Sequence, residues 1–381
     1  MADEIGISID PQQLAGVVAQ ALGEPTIQLG EWQIKPLSGG MEQFNRVYQL
    51  SGQAYTSSGE RPWSLVLKTM LYNPSTNDFP HGIRYWKREA AFYQSGLLDD
   101  LSCNLVLPRC YQVSQEGDAM WIWMEAIRND LPRPWPTEKY AEAARCLGSF
   151  NGAYLAGRPL PDEPWLAEGW LRSYTELATP ILQTLPELRK LSFFQKTYAE
   201  MSDDFILEAW ERRDEFLNTL DRLPQTFCHQ DAIEDNLAWR SSAGGKEQLI
   251  GLDWAYNGIA AVGEELAPLV FLRLAFIPEL ENKLRLYELC LQGYLAGLAN
   301  AGYTADARQV RFASLTVIFY RYFYGGLVEL WTAARDEGNH AFIAALFGFP
   351  SIDFLFNILS ETIPFYKAIY RQMNEMLPYL A

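Results

Sequence analysis

The spacing of apolar residues changes period once along this chain, and that change limits the fold more than any other feature. From about Trp32 to Ile127, runs such as Arg46–Leu50, Trp63–Met70 and Met120–Met124 have the makeup of strands. Turns rich in Gly and Ser separate them, at Ser38-Gly39-Gly40 and Ser57-Ser58-Gly59. One helix is predicted within this stretch, at about 83–95. Beyond Pro136 the period becomes helical: Ala143, Leu147, Phe150 and Tyr154 share one face. Further helices are predicted at about 165–177, 194–218, 280–299, 306–334 and 352–376. A short β island, 236–240 and 248–253 around a polar turn at 241–245, interrupts them. The pattern predicts an α+β fold in two lobes, a small β-rich N-terminal lobe with one helix and a larger, mainly helical C-terminal lobe. The change of period near Glu125–Asn129 divides the chain into 1–127 and 128–381, and 381 residues suit two packed lobes.

Composition excludes several classes of function. Hydrophobic residues are 49% and charged residues 20%, enough for a large core and unlike a disordered chain. The net charge of −16 repels a polyphosphate backbone, which argues against a nucleic-acid partner. It favours a cationic substrate slightly, although a solubilising surface charge explains it more simply. Five cysteines without a CxxC pair read as reduced thiols. The acidic first residues lack a signal pattern, and the most apolar stretch, 266–277, is broken by Arg273 and too short for a bilayer. A cytoplasmic protein with no membrane partner is therefore expected. Nothing in the pattern speaks to oligomeric state.

The densest chemical signal is Phe227-Cys228-His229-Gln230-Asp231-Ala232-Ile233-Glu234-Asp235-Asn236, followed by Leu249-Ile250-Gly251-Leu252-Asp253-Trp254. Phosphoryl transfer from ATP asks little covalent work of a protein. It needs a carboxylate at the acceptor hydroxyl and oxygen ligands for Mg²⁺ on the phosphates. Asp231 suits the first role. Asn236 and Asp253 offer hard oxygens of the kind Mg²⁺ takes, and the β island would bring them to Asp231. His229 reads as a loop-ordering residue, since Mg²⁺ prefers oxygen.

Upstream, Lys68 lies inside the apolar strand Trp63–Met70, where an ammonium needs an anion to meet it. The ATP phosphates would be that anion, with Glu89 as the carboxylate orienting the amine. The Gly39-Gly40 turn would let backbone amides approach phosphate oxygens. It matches neither a P-loop nor a dinucleotide-binding fingerprint. Trp123–Ile127 crosses between the lobes, where backbone groups at Glu125 and Ile127 would read an adenine edge.

Taken in order, these residues resemble the aminoglycoside phosphotransferase and choline kinase group, whose fold is protein-kinase-like. The resemblance covers nearly the whole chain and includes Arg88–Tyr93, the run ARCLGSFNGAY at 144–154, His229–Asn236 and Leu252–Leu269. It implies that Asp231 is the catalytic base, that Asn236 and Asp253 hold Mg²⁺, and that Lys68 with Glu89 holds ATP. It also implies an ATP- and Mg²⁺-dependent kinase acting on a small-molecule hydroxyl. The departures are Ile233-Glu234-Asp235, which put extra charge before the Asn and leave room for a non-catalytic, pseudokinase-like alternative. Glu264-Glu265 stand where an acidic residue opens the next helix. After Asp253 there is no DFG or APE sequence and little room for an activation segment, which disfavours a protein substrate. The aromatic run Ile318–Tyr324 with Trp331 reads either as core or as an acceptor wall for a sugar or a cation. Aminoglycosides, choline or ethanolamine, and other metabolite alcohols all remain open.

Overall fold

A computed structural model of the chain describes residues 7–37, 45–72, 79–99, 104–176, 178–241, 244–245, 247–275, 277, 279–346 and 349–380. It opens on a helix, α1 (Pro11–Leu22), which is not among the predicted ones, although Leu14, Val17, Val18, Ala21 and Leu22 keep a helical apolar period. The end signals agree: Asp10 accepts a hydrogen bond from the Gln12 amide, Pro11 starts the helix, and Gly23 at φ 68° ends it.

Five antiparallel strands follow, in the order β1-β2-β3-β6-β5. They are β1 (Gln28–Leu37), β2 (Asn45–Thr56), β3 (Gly59–Leu71), β5 (Cys110–Glu116) and β6 (Ala119–Glu125). Side chains alternate between the two faces of this sheet. Leu65 and Leu67 of β3 pack with Leu14 and Val17 of α1, whereas Met70 packs with Ala90 of α2 (Arg88–Ser95). Helix α2 begins at Arg88, five residues later than the pattern predicts. The Arg88 guanidinium gathers the carbonyls of Pro80, Gly82 and Ile83, which holds the chain before it in turns.

The rest is mainly helical. A two-residue strand, β4 (Leu105–Val106), runs parallel to β9 (Glu247–Gly251), itself paired with β8 (Leu237–Ser241). A separate antiparallel pair joins β7 (Gln225–Cys228) to β10 (Gly258–Ala261). Helix α3 (Thr137–Leu155) is followed by α4 (Trp170–Glu176) and by the short α5 (Thr179–Leu182), α6 (Leu185–Leu188) and α7 (Ser192–Tyr198). The single helix predicted at 194–218 is instead α7, α8 (Asp203–Glu211) and α9 (Arg213–Arg222), because Ser202 caps a new start on the Phe205 amide. Then come α10 (Leu266–Ala275), α11 (Leu280–Asn300), α12 (Ala307–Val317), α13 (Tyr324–Arg335), α14 (His340–Leu346) and α15 (Ile352–Leu380). A π-helical turn at Ile318–Phe323 joins α12 to α13.

Helices α3 and α11 meet so closely that a Cβ on Gly148 would lie 2.2 Å from the Tyr294 carbonyl oxygen. Only glycine fits such an approach. One large apolar cluster fills the helical part, and it reaches the first part through Phe92 of α2. Among the described residues, no helix is long and apolar enough to cross a membrane.

Candidate active site

Lys68 sits on central strand β3, opposite Val47 of β2 and Ile122 of β6. Its position in the alternation is that of Met70, so its side chain faces α2. There the ammonium meets two carboxylates, Glu89 Oε2 at 2.5 Å and Asp253 Oδ1 at 2.8 Å. Lys68 and Glu89 are buried. Burial alone would lower the Lys68 pKa, but Asp253 and Glu89 outweigh it and hold the amine firmly protonated. Burial pushes Glu89 up to about 7 against the pull of Lys68. For Asp253 burial acts upward as well, and Lys68 overcomes it, so this carboxyl stays below its usual range.

Helix α2 is tied to the loop that carries Asp253. The Arg88 Nη1 donates to the Ala255 carbonyl at 3.0 Å, and its Nε to the Trp165 carbonyl at 2.7 Å. Phe92 stacks on Trp254 with centroids 4.6 Å apart. These contacts hold Glu89 against the residue after Asp253. Asp253 itself has φ 56°, in the left-handed region. A non-glycine residue there carries strain of about 1–3 kcal/mol, and such strain clusters at functional sites.

The Asp231 loop leaves β7. His229 is fully buried; its Nε2–H donates to the Leu252 carbonyl at 2.7 Å while its Nδ1 accepts from the Asp231 amide at 3.2 Å. Burial lowers its pKa, so the ring is a neutral brace between the two loops. Glu265, just before α10, accepts from the His229 amide at 2.5 Å and the Gln230 amide at 3.1 Å. Gln230 has φ 63°, and its buried side-chain amide has no hydrogen-bond partner among the described residues. From below, Asn151 of α3 donates to the Phe227 carbonyl at 2.8 Å and accepts from the Tyr294 hydroxyl at 2.6 Å.

Asp231 is thereby held by two neighbours. The Asn236 Nδ2 donates to Asp231 Oδ2 at 2.9 Å, and the Arg321 Nη2 donates to Oδ1 at 2.6 Å. Burial raises the Asp231 pKa, and the Arg321 charge opposes the rise. Asp253 is near enough to add to it. Positions 231, 236 and 253 therefore meet at one place, with Lys68 on its far side.

Other expected residues are placed as follows. Glu125 ends β6; its carboxylate accepts from Arg240 Nη1 at 2.8 Å and from the Arg109 amide at 3.2 Å. Ile127 follows in a stretch without regular structure. Gly39 and Gly40 lie outside the described residues. Glu234 and Asp235, the extra acids before Asn236, have partners of their own. Glu234 accepts from the Trp135 amide at 2.9 Å and from the Tyr140 hydroxyl, and Asp235 pairs with Arg133 at 3.1 Å. The run 318–324 is largely core, with Phe319, Tyr320, Phe323 and Tyr324 fully buried. Arg321 and Tyr322 are the residues of this run that reach the Asp231 side.

The donor set fits a hard cation. Asn236 and Asp253 present oxygen atoms, and among the described residues no cluster of three His, Cys, Asp or Glu forms a complete protein cage. Mg²⁺ takes one or two protein oxygens and leaves its other positions to phosphates and water. Lys68 is the buried cation across from them.

Arg321, Arg88 and Glu265 were not singled out by sequence for these positions. Arg321 stands 90 residues beyond Asp231, and Glu265 36 residues beyond His229. Glu264-Glu265 at a helix start was a signal for a capping acid, but its partners were invisible.

No protein-family model matches the chain, and no curated protein does. Solved structures do. An aminoglycoside phosphotransferase from Alicyclobacillus acidocaldarius superposes with a TM-score of 0.50 at 13% identity, covering 98% of this chain and 96% of that one. An ethanolamine kinase of Plasmodium vivax gives 0.48 at 12% identity, covering 89% and 83%. A spectinomycin phosphotransferase in complex with ADP and spectinomycin gives 0.47 at 14%, covering 94% and 98%. Over nearly its whole length the chain has the two-lobed, kinase-like fold of the Alicyclobacillus aminoglycoside phosphotransferase.

Proposed function

We propose that this chain is an ATP- and Mg²⁺-dependent phosphotransferase acting on the hydroxyl of a small molecule. The observation that carries the reading is the convergence of Asp231, Asn236 and Asp253 opposite the buried Lys68–Glu89 pair. ATP would supply the phosphoryl group, and Mg²⁺ would neutralise its oxygens where Asn236 and Asp253 present theirs. Lys68, kept protonated by Glu89 and Asp253, binds phosphate oxygens. Asp231 takes the proton of the acceptor hydroxyl as that oxygen bonds to phosphorus and ADP leaves. Residues 1–127, ending in the Glu125–Ile127 crossing, hold the nucleotide; residues 128–381 carry the base and the acceptor.

The compact stretch after Asp253 supports a small acceptor. Strand β10 starts at Gly258 and α10 at Leu266, so no long docking segment follows. The acidic pair Glu234–Asp235, which prompted a non-catalytic reading, is bonded elsewhere and lends it no support.

Purified protein with Mg²⁺-ATP and a panel of sugars, amino alcohols and hydroxy acids tests this. Acceptor-dependent ADP release that disappears in Asp231→Asn is the expected result. ATP-independent behaviour, with no stabilisation by Mg²⁺ and a non-hydrolysable ATP analogue, would reject it.

A further inference from the structure

A carboxylate flanked by aromatic rings is the chemistry that recognises an organic cation. The Asp231 side of the cleft has that makeup, but its cation is already part of the chain. The Arg321 guanidinium carbon lies 4.5 Å from the Trp170 ring centroid, 4.9 Å from that of Tyr322 and 5.8 Å from that of Tyr174. Trp170 and Tyr174 stack with centroids 5.5 Å apart, and Phe271 backs Tyr322 at 3.8 Å, so the rings are fixed. The π-helical turn at Ile318–Phe323 contains Arg321 while the rings on both sides of it stay in the core. Only 11% of the Arg321 side chain is exposed.

We propose that Arg321 is the built-in occupant of a cation cage beside Asp231, and that it sets acceptor selectivity. The acceptor group nearest that cage is then neutral or anionic, as in a polyol or a sugar acid, and not an ammonium. A second cation would meet a like charge at contact, whereas the attraction of the protein's net charge is screened beyond about 10 Å. Asp231 and the Gln230 carbonyl take two guanidinium N–H groups, at 2.6 and 3.0 Å, of the five that arginine carries. The others suit a hydroxyl or carboxylate oxygen. The inference rests on the phosphotransferase reading only in calling the ligand an acceptor; the cage is testable without turnover.

The test uses Arg321→Ala, with tetramethylammonium and methylguanidinium as probes and no nucleotide present. Binding is read from tryptophan fluorescence, through Trp170, and from the thermal midpoint. The variant is expected to bind both cations saturably at millimolar concentration, at least tenfold tighter than the unaltered protein, with its lowered midpoint partly restored. Wild-type protein that binds tetramethylammonium as tightly overturns the proposal, as does a folded variant that takes up neither cation. If Arg321→Ala does not fold, Arg321→Gln replaces it under the same criteria. Arg321→Lys, which keeps a charge in the cage, is expected to exclude both probes. Loss of ADP release in Asp231→Asn is a separate measurement, so either reading can fail alone.

Discussion

The Lys68 ammonium lies 2.8 Å from Asp253 Oδ1, joining the central strand of the first sheet to the loop that follows β9. With Glu89 on its other side, this one amine neutralises a buried acid and a half-buried one. Lys68→Met should therefore damage both folding and function. Breaking a buried pair costs about 3–5 kcal/mol, and phosphotransferase activity should fall at least about 100-fold, the worth of roughly 2.7 kcal/mol. Denaturant titration and ADP-release kinetics measure the two effects. A variant with native stability would mean that the acids are already neutral without the lysine.

Asp231→Asn keeps the shape and an oxygen for Asn236, yet cannot take a proton. General-base loss predicts a kcat lower by about 10²–10⁴ with nearly unchanged nucleotide affinity. Because burial raises the Asp231 pKa, the acid limb of the wild-type pH profile should lie above the usual aspartate value of about 3.9. Nucleotide affinity that collapses along with kcat would assign Asp231 to phosphate or metal binding.

Stability should fall as pH rises towards neutrality. Burial pushes both Glu264 and Glu265 up to about 7, from 4.5. Between those values the folded state binds more protons than the unfolded chain, so each unit of pH costs up to about 1.4 kcal/mol per group. Glu264 accepts from the Ala261 amide through Oε1 at 2.9 Å, a bond glutamine retains. Glu264→Gln should flatten the decline in thermal midpoint between about pH 5 and 8. An unchanged slope would place the titration elsewhere.

Arg88 is buried with five carbonyl acceptors and, among the described residues, no carboxylate partner. Arg88→Lys cannot reproduce its planar fork. Several orphaned buried carbonyls should cost about 3 kcal/mol or more, and Glu89 should lose its register against the loop after Asp253. Urea unfolding gives the first quantity, and the KM for ATP the second. Loss below about 1 kcal/mol would mean that water replaces the guanidinium.

How much of this was readable in advance follows from sequence distance. Asp231, Asn236 and Asp253 lie on one short hairpin system, so their order along the chain already implied proximity. Lys68 declared itself by standing charged within an apolar strand, and the α+β division followed from the change of period. Helix α1 carried legible signals at both ends, Asp10-Pro11 and Gly23, and an apolar face at Leu14, Val17, Val18 and Leu22 between them. The break at Ser202 and the later start at Arg88 depended on hydrogen bonds that pattern does not encode.

The sequence by itself settled which chemical groups exist and which of them are local neighbours, because alternation and turn chemistry act over a few residues. Only the tertiary structure decided that Arg321 would stand against Asp231, that Glu265 would hold the His229 loop, and that Arg88 would span from α2 to Ala255. Those pairings are made by packing helices across one core, where position depends on the shapes of many buried side chains together and on no short motif.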